Sequence, residues 1–267
     1  MAFGVASLTR RSVRGRRVAG VRATNYLLID ISNSFTKLAL ASKTRIARPR
    51  RIPTTKLTSG LLRRVLTGRK IDTIVVCSVV PKKNREVKRA AGKTRILWLG
   101  PKIKLGVGID YSAPKTIGAD RLANAAAVAA LYGFPAIVVD FGTAVTFDIV
   151  SAQRKYIGGV IAPGLEAMTN FLYQRTALLP KLSLREPRSV IGRSTIEAMM
   201  AGAVFGYRGL VREILARIRA EAFPQGKVKI VGTGGYADLI AAQLPEVEAI
   251  HPNLTLEGLR IVARLNT

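Results

Sequence analysis

The chain has 267 residues, with 43 Lys and Arg against 16 Asp and Glu, a formal net charge of +27. A hydrophobic fraction of 48% with 6% aromatic residues gives enough apolar chain for a sizeable core, which excludes a disordered protein. The single cysteine, Cys77, excludes an intrachain disulfide and suits a reducing compartment.

Residues 1–25 carry Arg10, Arg11, Arg14, Arg16, Arg17 and Arg22, and no acid precedes Asp30. The composition is that of an Arg-rich targeting leader without the long apolar stretch of a secretory signal. A basic disordered tail or an early start codon explains it better, and a disordered leader over 1–25 is the expectation. Further along, Arg45 to Lys56 and Pro81 to Lys93 concentrate positive charge. Such charge attracts polyanions, so nucleic-acid binding is one reading. No zinc-ligand spacing or RNA-binding aromatic motif accompanies it, so any such binding is expected to be non-specific.

Tyr26 to Ile31 is an apolar run suited to a buried strand, and Phe35 to Leu40 reads as its hairpin partner. Thr58 can cap a short amphipathic helix through Leu66. Ile71 to Val80 and Thr94 to Leu99 read as strands, with Cys77 and Trp98 as core residues. Ala119 to Leu131 is alanine-rich and therefore helical. The uncharged stretch Leu122 to Val139 is broken by Gly133-Phe134-Pro135, so it reads as helix, turn and buried strand rather than a membrane span.

The opening pattern then recurs. Val138-Val139-Asp140-Phe141-Gly142-Thr143-Ala144 repeats the order of Leu28-Ile29-Asp30-Ile31-Ser32-Asn33-Ser34: strand, Asp, apolar residue, then small and polar residues leading into another strand. Val145 to Val150, Tyr156 to Ile161 and Lys227 to Val231 read as strands. A helix follows Pro163-Gly164, Ser194 to Glu197 can form a capping box, and Leu256 to Leu265 closes the chain as a helix. Two α/β halves, each opening on a hairpin that carries an Asp, imply two lobes with a cleft between them. The expected division is 26–134 and 135–267.

Small residues after an Asp suit a phosphate site, because backbone N–H groups can approach phosphate oxygens while the carboxylate holds a counter-cation. No Walker A loop is present, which excludes a P-loop enzyme. Gly118-Ala119-Asp120-Arg121 puts a carboxylate and a guanidinium at a helix start. That acid either complements the helix dipole or acts as a general base beside an anion-binding arginine. His251, before Pro252, reads as a loop residue.

Together with Gly158-Gly159-Val160-Ile161-Ala162-Pro163-Gly164 and Gly232-Thr233-Gly234-Gly235, these motifs resemble the type III pantothenate kinase family from Tyr26 to about Leu265. That family shares the fold of the acetate and sugar kinase/actin superfamily. The resemblance implies a duplicated ribonuclease H-like fold with an ATP cleft between its lobes. It implies ATP-dependent phosphorylation of pantothenate to 4'-phosphopantothenate, the first step of coenzyme A biosynthesis. By it, Asp30, Ile31, Ser32, Asn33, Ser34, Phe35, Thr36, Lys37 and Thr143 would bind ATP. Asp120 would accept the proton of the pantothenate hydroxyl, and Tyr111, Gly118, Ala119, Asp120 and Arg121 would hold pantothenate. Thr195 would contact pantothenate across a homodimer interface. Asp140 would bind a monovalent cation, K⁺ or NH₄⁺, and Mg²⁺ would accompany the nucleotide in a cytoplasmic enzyme. The sequence departs from the family's Asp-x-Gly-Asn-Thr turn at Ser32 and Ser34. Ser32 puts a side chain where the backbone should meet phosphate and disfavours a positive φ. A regulatory homologue that keeps the fold without turnover is the alternative this departure favours.

Overall fold

A computed structural model of the chain describes residues 25–267, so the expected leader falls outside the described residues except for Asn25. The first sheet is built from β1 (Tyr26–Ile31), β2 (Phe35–Ala41), β3 (Arg50–Pro53), β4 (Thr73–Ser78) and β5 (Arg95–Trp98), in the order β3-β2-β1-β4-β5. Helix α1 (Ser59–Leu66) follows β3, and α2 (Pro81–Ala91) follows β4. Thr58 caps α1 as expected, accepting a hydrogen bond from the Leu61 amide at 3.2 Å.

The second half begins with β6 (Gly108–Ile109) and α3 (Ala119–Leu131), followed by β7 (Ala136–Phe141), β8 (Ala144–Val150) and β9 (Lys155–Pro163). Two helices follow, α4 (Leu165–Arg175) and α5 (Thr195–Ala222), then β10 (Lys229–Gly234), α6 (Ala237–Ile240), β11 (Ala249–Ile250) and α7 (Leu254–Asn266). The second sheet has the order β11-β10-β7-β8-β9-β6. Apart from β6, that order reproduces the first sheet strand for strand. β7, β8, β9, β10 and β11 take the places of β1, β2, β3, β4 and β5. In both sheets the first two strands are antiparallel and the first pairs in parallel with the fourth. The repeat in the sequence is therefore a repeat of topology.

β1 and β7 are central strands, and their near-continuous apolar runs are what burial on both faces demands. Helices α3 and α7 lie together in one core that takes Leu28, Val75 and Cys77 from the first sheet and Val138, Val150 and Val231 from the second. Each sheet also covers its outer face, the first with α1 and α2 and the second with α5 and α6. The shared inner core fixes the two sheets to one helix pair. Asp120 is borne on that pair.

The sequence reading missed β3 and α2, along with the short elements β6, α6 and β11. β3 is a short, largely exposed edge strand rich in Arg, with no alternating pattern to betray it. α2 hides inside a charge cluster, where Pro81 at its first turn is the start signal. β10 also runs further than expected, through Gly232-Thr233-Gly234, since these residues continue the parallel pairing with β7. Among the described residues no helix is long and apolar enough to cross a membrane.

The α3–α7 contact depends on Gly258. A Cβ there would strike the backbone carbonyl of Ala123 on α3, which cannot swing aside as a flexible side chain can. Gly258→Ala is expected to destabilise the fold by about 1–3 kcal/mol, the usual scale of overpacking. A melting curve of the purified variant checks this; an unchanged midpoint would show that the helices separate freely.

Candidate active site

The strand ends converge on a cluster of carboxylates. Asp30 sits near the end of β1 and is 5% exposed, while Asp140 sits near the end of β7 and Asp120 in the first turn of α3. Burial pushes Asp30 up to about 7, Lys37 opposes that shift, and Asp120 and Asp140 add to it. Asp120 and Asp140 are also raised, in each case chiefly by burial. Asp120 is held where it is by the Arg121 amide, which donates to its Oδ1 at 2.9 Å. Such a desolvated carboxylate is a stronger base than one in water.

Asp140 has a second support. Asn124, one turn beyond Asp120 on α3, donates from Nδ2 to Asp140 Oδ2 at 3.2 Å, and Thr255 of α7 donates to Asn124 Oδ1 at 2.9 Å. The Thr255 hydroxyl fixes which end of the amide faces the carboxylate. Gly234, at φ 95°, closes the other side; a Cβ there would lie 2.6 Å from Asp140 Oδ1.

The two turns meet directly. Ser34 Oγ and Thr143 Oγ1 are 2.9 Å apart, joining residues 109 positions apart in the chain. In the first turn Ser32 Oγ donates to Asp30 Oδ1 at 3.3 Å, and Thr54 Oγ1 donates to the Ser32 carbonyl at 2.6 Å. Ser32 does not need a left-handed backbone: Arg154 is the only non-glycine with positive φ among the described residues. The strain expected from replacing Gly is therefore not present. Ile31 and Thr36 are buried, and the Thr36 hydroxyl is spent on Thr54 at 3.0 Å. The Phe35 ring carries the Arg51 guanidinium 3.5 Å from its centroid, and Asn33 is exposed. Lys37 donates to the Pro252 carbonyl at 3.2 Å.

Arg121 turns to the other side of Asp120. Its Nε donates to Asp148 Oδ1 at 2.7 Å, a fully buried carboxylate on β8. Burial pushes Asp148 up to about 7 against the pull of Arg121. Burial also opposes the charge on Arg121, but Asp148 outweighs it and the net shift is upward. Tyr111 packs edge-on to Tyr156 with ring centroids 6.0 Å apart. Gly118 is the N-cap of α3 and Ala119 its first residue.

Thr195 opens α5 and is exposed, and no hydrogen bond among the described residues links it to the cluster. Its neighbour Ser194 caps the helix by accepting from the Glu197 amide at 3.3 Å. His251 is a loop residue whose Nδ1 lies 2.9 Å from the Tyr132 hydroxyl. Cys77 is buried, and burial followed by Asp30 holds its thiol well above the usual range, so it is inert. A cavity of about 530 Å³ lies at the opposite end of β1 beside Tyr26 and Arg45, away from this chemistry.

The sequence profile of the type III pantothenate kinases matches residues 26–217. The chain belongs to the type III pantothenate kinase family. A type III pantothenate kinase of Akkermansia muciniphila is 51% identical over 242 residues, covering 90% of this chain and 99% of its own. Another from Methylacidiphilum infernorum is 42% identical over 239 residues, covering 90% and 88%. Among solved structures, a Sinorhizobium meliloti protein described as a 2-dehydro-3-deoxygalactonokinase superposes with a TM-score of 0.56 at 15% identity, covering 90% and 98%. That likeness supports the two-lobe kinase fold.

Sequence reasoning missed Asn124, Asp148, Tyr156 and Thr255. Asn124 was findable from its spacing of four from Asp120, and Asp148 from the same logic that marked Asp140, an acid inside an apolar strand.

The raised Asp30 has a measurable sign. Between its ordinary value of 3.8 and about 7, the folded state holds a proton that the unfolded state has lost. Folding stability therefore falls as pH rises through that window. Asp30→Asn, which cannot lose a proton, is expected to gain in melting temperature over wild type from pH 4 to 8. A constant difference across that range, measured by differential scanning fluorimetry, would mean that Asp30 does not titrate there.

Proposed function

We propose that the chain carries out the family's reaction in full, moving the γ-phosphoryl of ATP to the primary hydroxyl of pantothenate with Asp120 as proton acceptor. The observation that carries this reading is the position of Asp120. It is a desolvated carboxylate in the first turn of α3, close to the aspartates of both repeated turns. Phosphoryl transfer needs positioning and charge stabilisation more than covalent catalysis. The turns of β1 and β7 would grip the phosphates, with Ser32, Ser34 and Thr143 offering hydroxyls and Lys37 a cation. Ile31 and Thr36 would serve through backbone N–H groups, since their side chains are committed to the core. Tyr111, Gly118, Ala119 and Arg121 would hold pantothenate beside Asp120.

The donor set fits the expected ions. Among the described residues no group of three His, Cys, Asp or Glu side chains is arranged to hold a metal. A Mg²⁺ ion would therefore be shared with the nucleotide phosphates, whose charge it would neutralise. Asp140, oriented by Asn124 and buried, would hold K⁺ or NH₄⁺, which would neutralise it. Both substrates are anionic, and the net charge of +27 would draw them in. A cytoplasmic setting belongs to the same proposal, since ATP and a reduced cysteine are found together there.

Thr195 would complete the site from a second copy. Val190, Ile191 and Ile196 flank it in sequence as exposed apolar residues, and Phe171, Leu172 and Leu178 are exposed as well, with Ile191 80% and Leu178 89% exposed in the single chain. An apolar surface of this kind beside an isolated substrate-type threonine fits a homodimer contact. Arg208 holds the segment before α5 in place, donating from Nη2 to Glu186 Oε2 at 2.6 Å.

Three measurements test this. Asp120→Asn should fold normally and lose two to four orders of magnitude in kcat, roughly the scale of general-base loss; near-normal turnover would remove Asp120 from the mechanism. Activity should depend on K⁺ or NH₄⁺, and Asp140→Ala should abolish that dependence along with most turnover; equal rates in Na⁺-only buffer would contradict the cation role. Light scattering should find a dimer that Ile191→Glu converts to monomer, raising the pantothenate KM; a monomeric wild type with full activity would refute the shared site.

A further inference from the structure

Two buried donors beside Asp120 have no hydrogen-bond partner among the described residues. The Tyr156 side chain is fully buried, yet its hydroxyl makes no hydrogen bond, and the Nη2 of Arg121 is likewise buried and unpaired. They belong to one assembly: the Arg121 guanidinium carbon lies 5.6 Å from the Tyr156 ring centroid. A folded protein leaves few such atoms, because each unmet donor costs free energy, and those that persist call for an explanation.

The surroundings explain why Nη2 is left free. Asp148 takes the Nε side of the guanidinium at 2.7 Å and so fixes where the remaining nitrogens lie. Gly159 on β9 leaves room for it; a Cβ there would lie 2.6 Å from Nη2 and would strike the Phe147 carbonyl. The guanidinium is thus clamped by a charge on one edge and accommodated by a missing side chain on the other. An arginine used only to neutralise Asp148 would need neither a free nitrogen nor a neighbouring free hydroxyl.

We propose that Tyr156 is a pantothenate-binding residue, its hydroxyl and Arg121 Nη2 together donating to an oxygen of the acceptor substrate. This rests on the reading of Asp120 and Arg121 as the acceptor side of the site. Neither donor reaches solvent, so the ligand oxygen arrives by displacing a neighbour. Tyr111, partly exposed and edge-on to Tyr156, is the neighbour that yields. The proposal assigns different jobs to the two tyrosines. Tyr111 covers the subsite, and Tyr156 forms its floor.

The test is steady-state kinetics and thermal melting of the full chain and of Tyr156→Phe. That change removes one oxygen and keeps the ring. Deleting an unpaired buried hydroxyl should leave the melting temperature unchanged or slightly raised. The pantothenate KM should rise about tenfold, the worth of one hydrogen bond to a site built for it, with the ATP KM unchanged. An unaltered pantothenate KM would overturn the proposal, as it would if a permanently bound water satisfied the hydroxyl. Equal rises in both KM values would overturn it too, since that pattern marks a general loss of structure. A wild-type chain that turns over no pantothenate would instead refute the proposed function, so the two failures are distinguishable.

Discussion

Desolvated carboxylate is the constraint around which this molecule is arranged. Asp30, Asp120, Asp140 and Asp148 are all drawn away from water, and all are raised by it. An unpaired buried charge is among the most expensive features a fold can carry. Each acid is therefore given something specific: Ser32 and Lys37 to Asp30, a helix amide to Asp120, Asn124 to Asp140 and Arg121 to Asp148. The partners are too few to satisfy the cluster fully.

The two halves share a topology but divide the work. The first turn keeps a serine at Ser32, whose hydroxyl serves Asp30, and the second keeps Gly142 before Thr143. Between them runs the α3–α7 pair, which is inner core for both sheets. Mounting Asp120 and Asn124 on α3, and Thr255 on α7, makes the helix pair the common reference for both turns. Geometry at the site is thereby a property of the core rather than of loops.

Much of this was legible in the residues. The strand-Asp-turn pattern gave both central strands and both acids because burial on two faces writes a continuous apolar run into the sequence. The helix from Ala119 to Leu131 was found to the residue, since alanine content and the Gly118 boundary agree. Edge strand β3 was not legible, because its exposed arginines follow no periodicity. The concern over Ser32 arose from a family pattern and was answered only by backbone geometry, since whether a turn needs positive φ cannot be read from residue type. Tyr156 and Thr255 were missed for a related reason. Their roles depend on which side chains meet across elements far apart in the chain, and spacing along one segment carries no record of that.

The contact between Ser34 and Thr143 has a consequence for how the protein meets its nucleotide. It is a single exposed hydroxyl pair across the two halves. Such a bond is worth about 0.5–1.5 kcal/mol net, a bias of roughly two- to tenfold toward the clasped arrangement. Under the proposed function, phosphates settling into both turns would compete for the same hydroxyls, so part of their binding free energy would go into undoing the clasp. The intrinsic affinity of the turns is then greater than the affinity a titration reads, by about that same factor. The two hydroxyls proposed to meet the nucleotide are each other's partner in the folded chain.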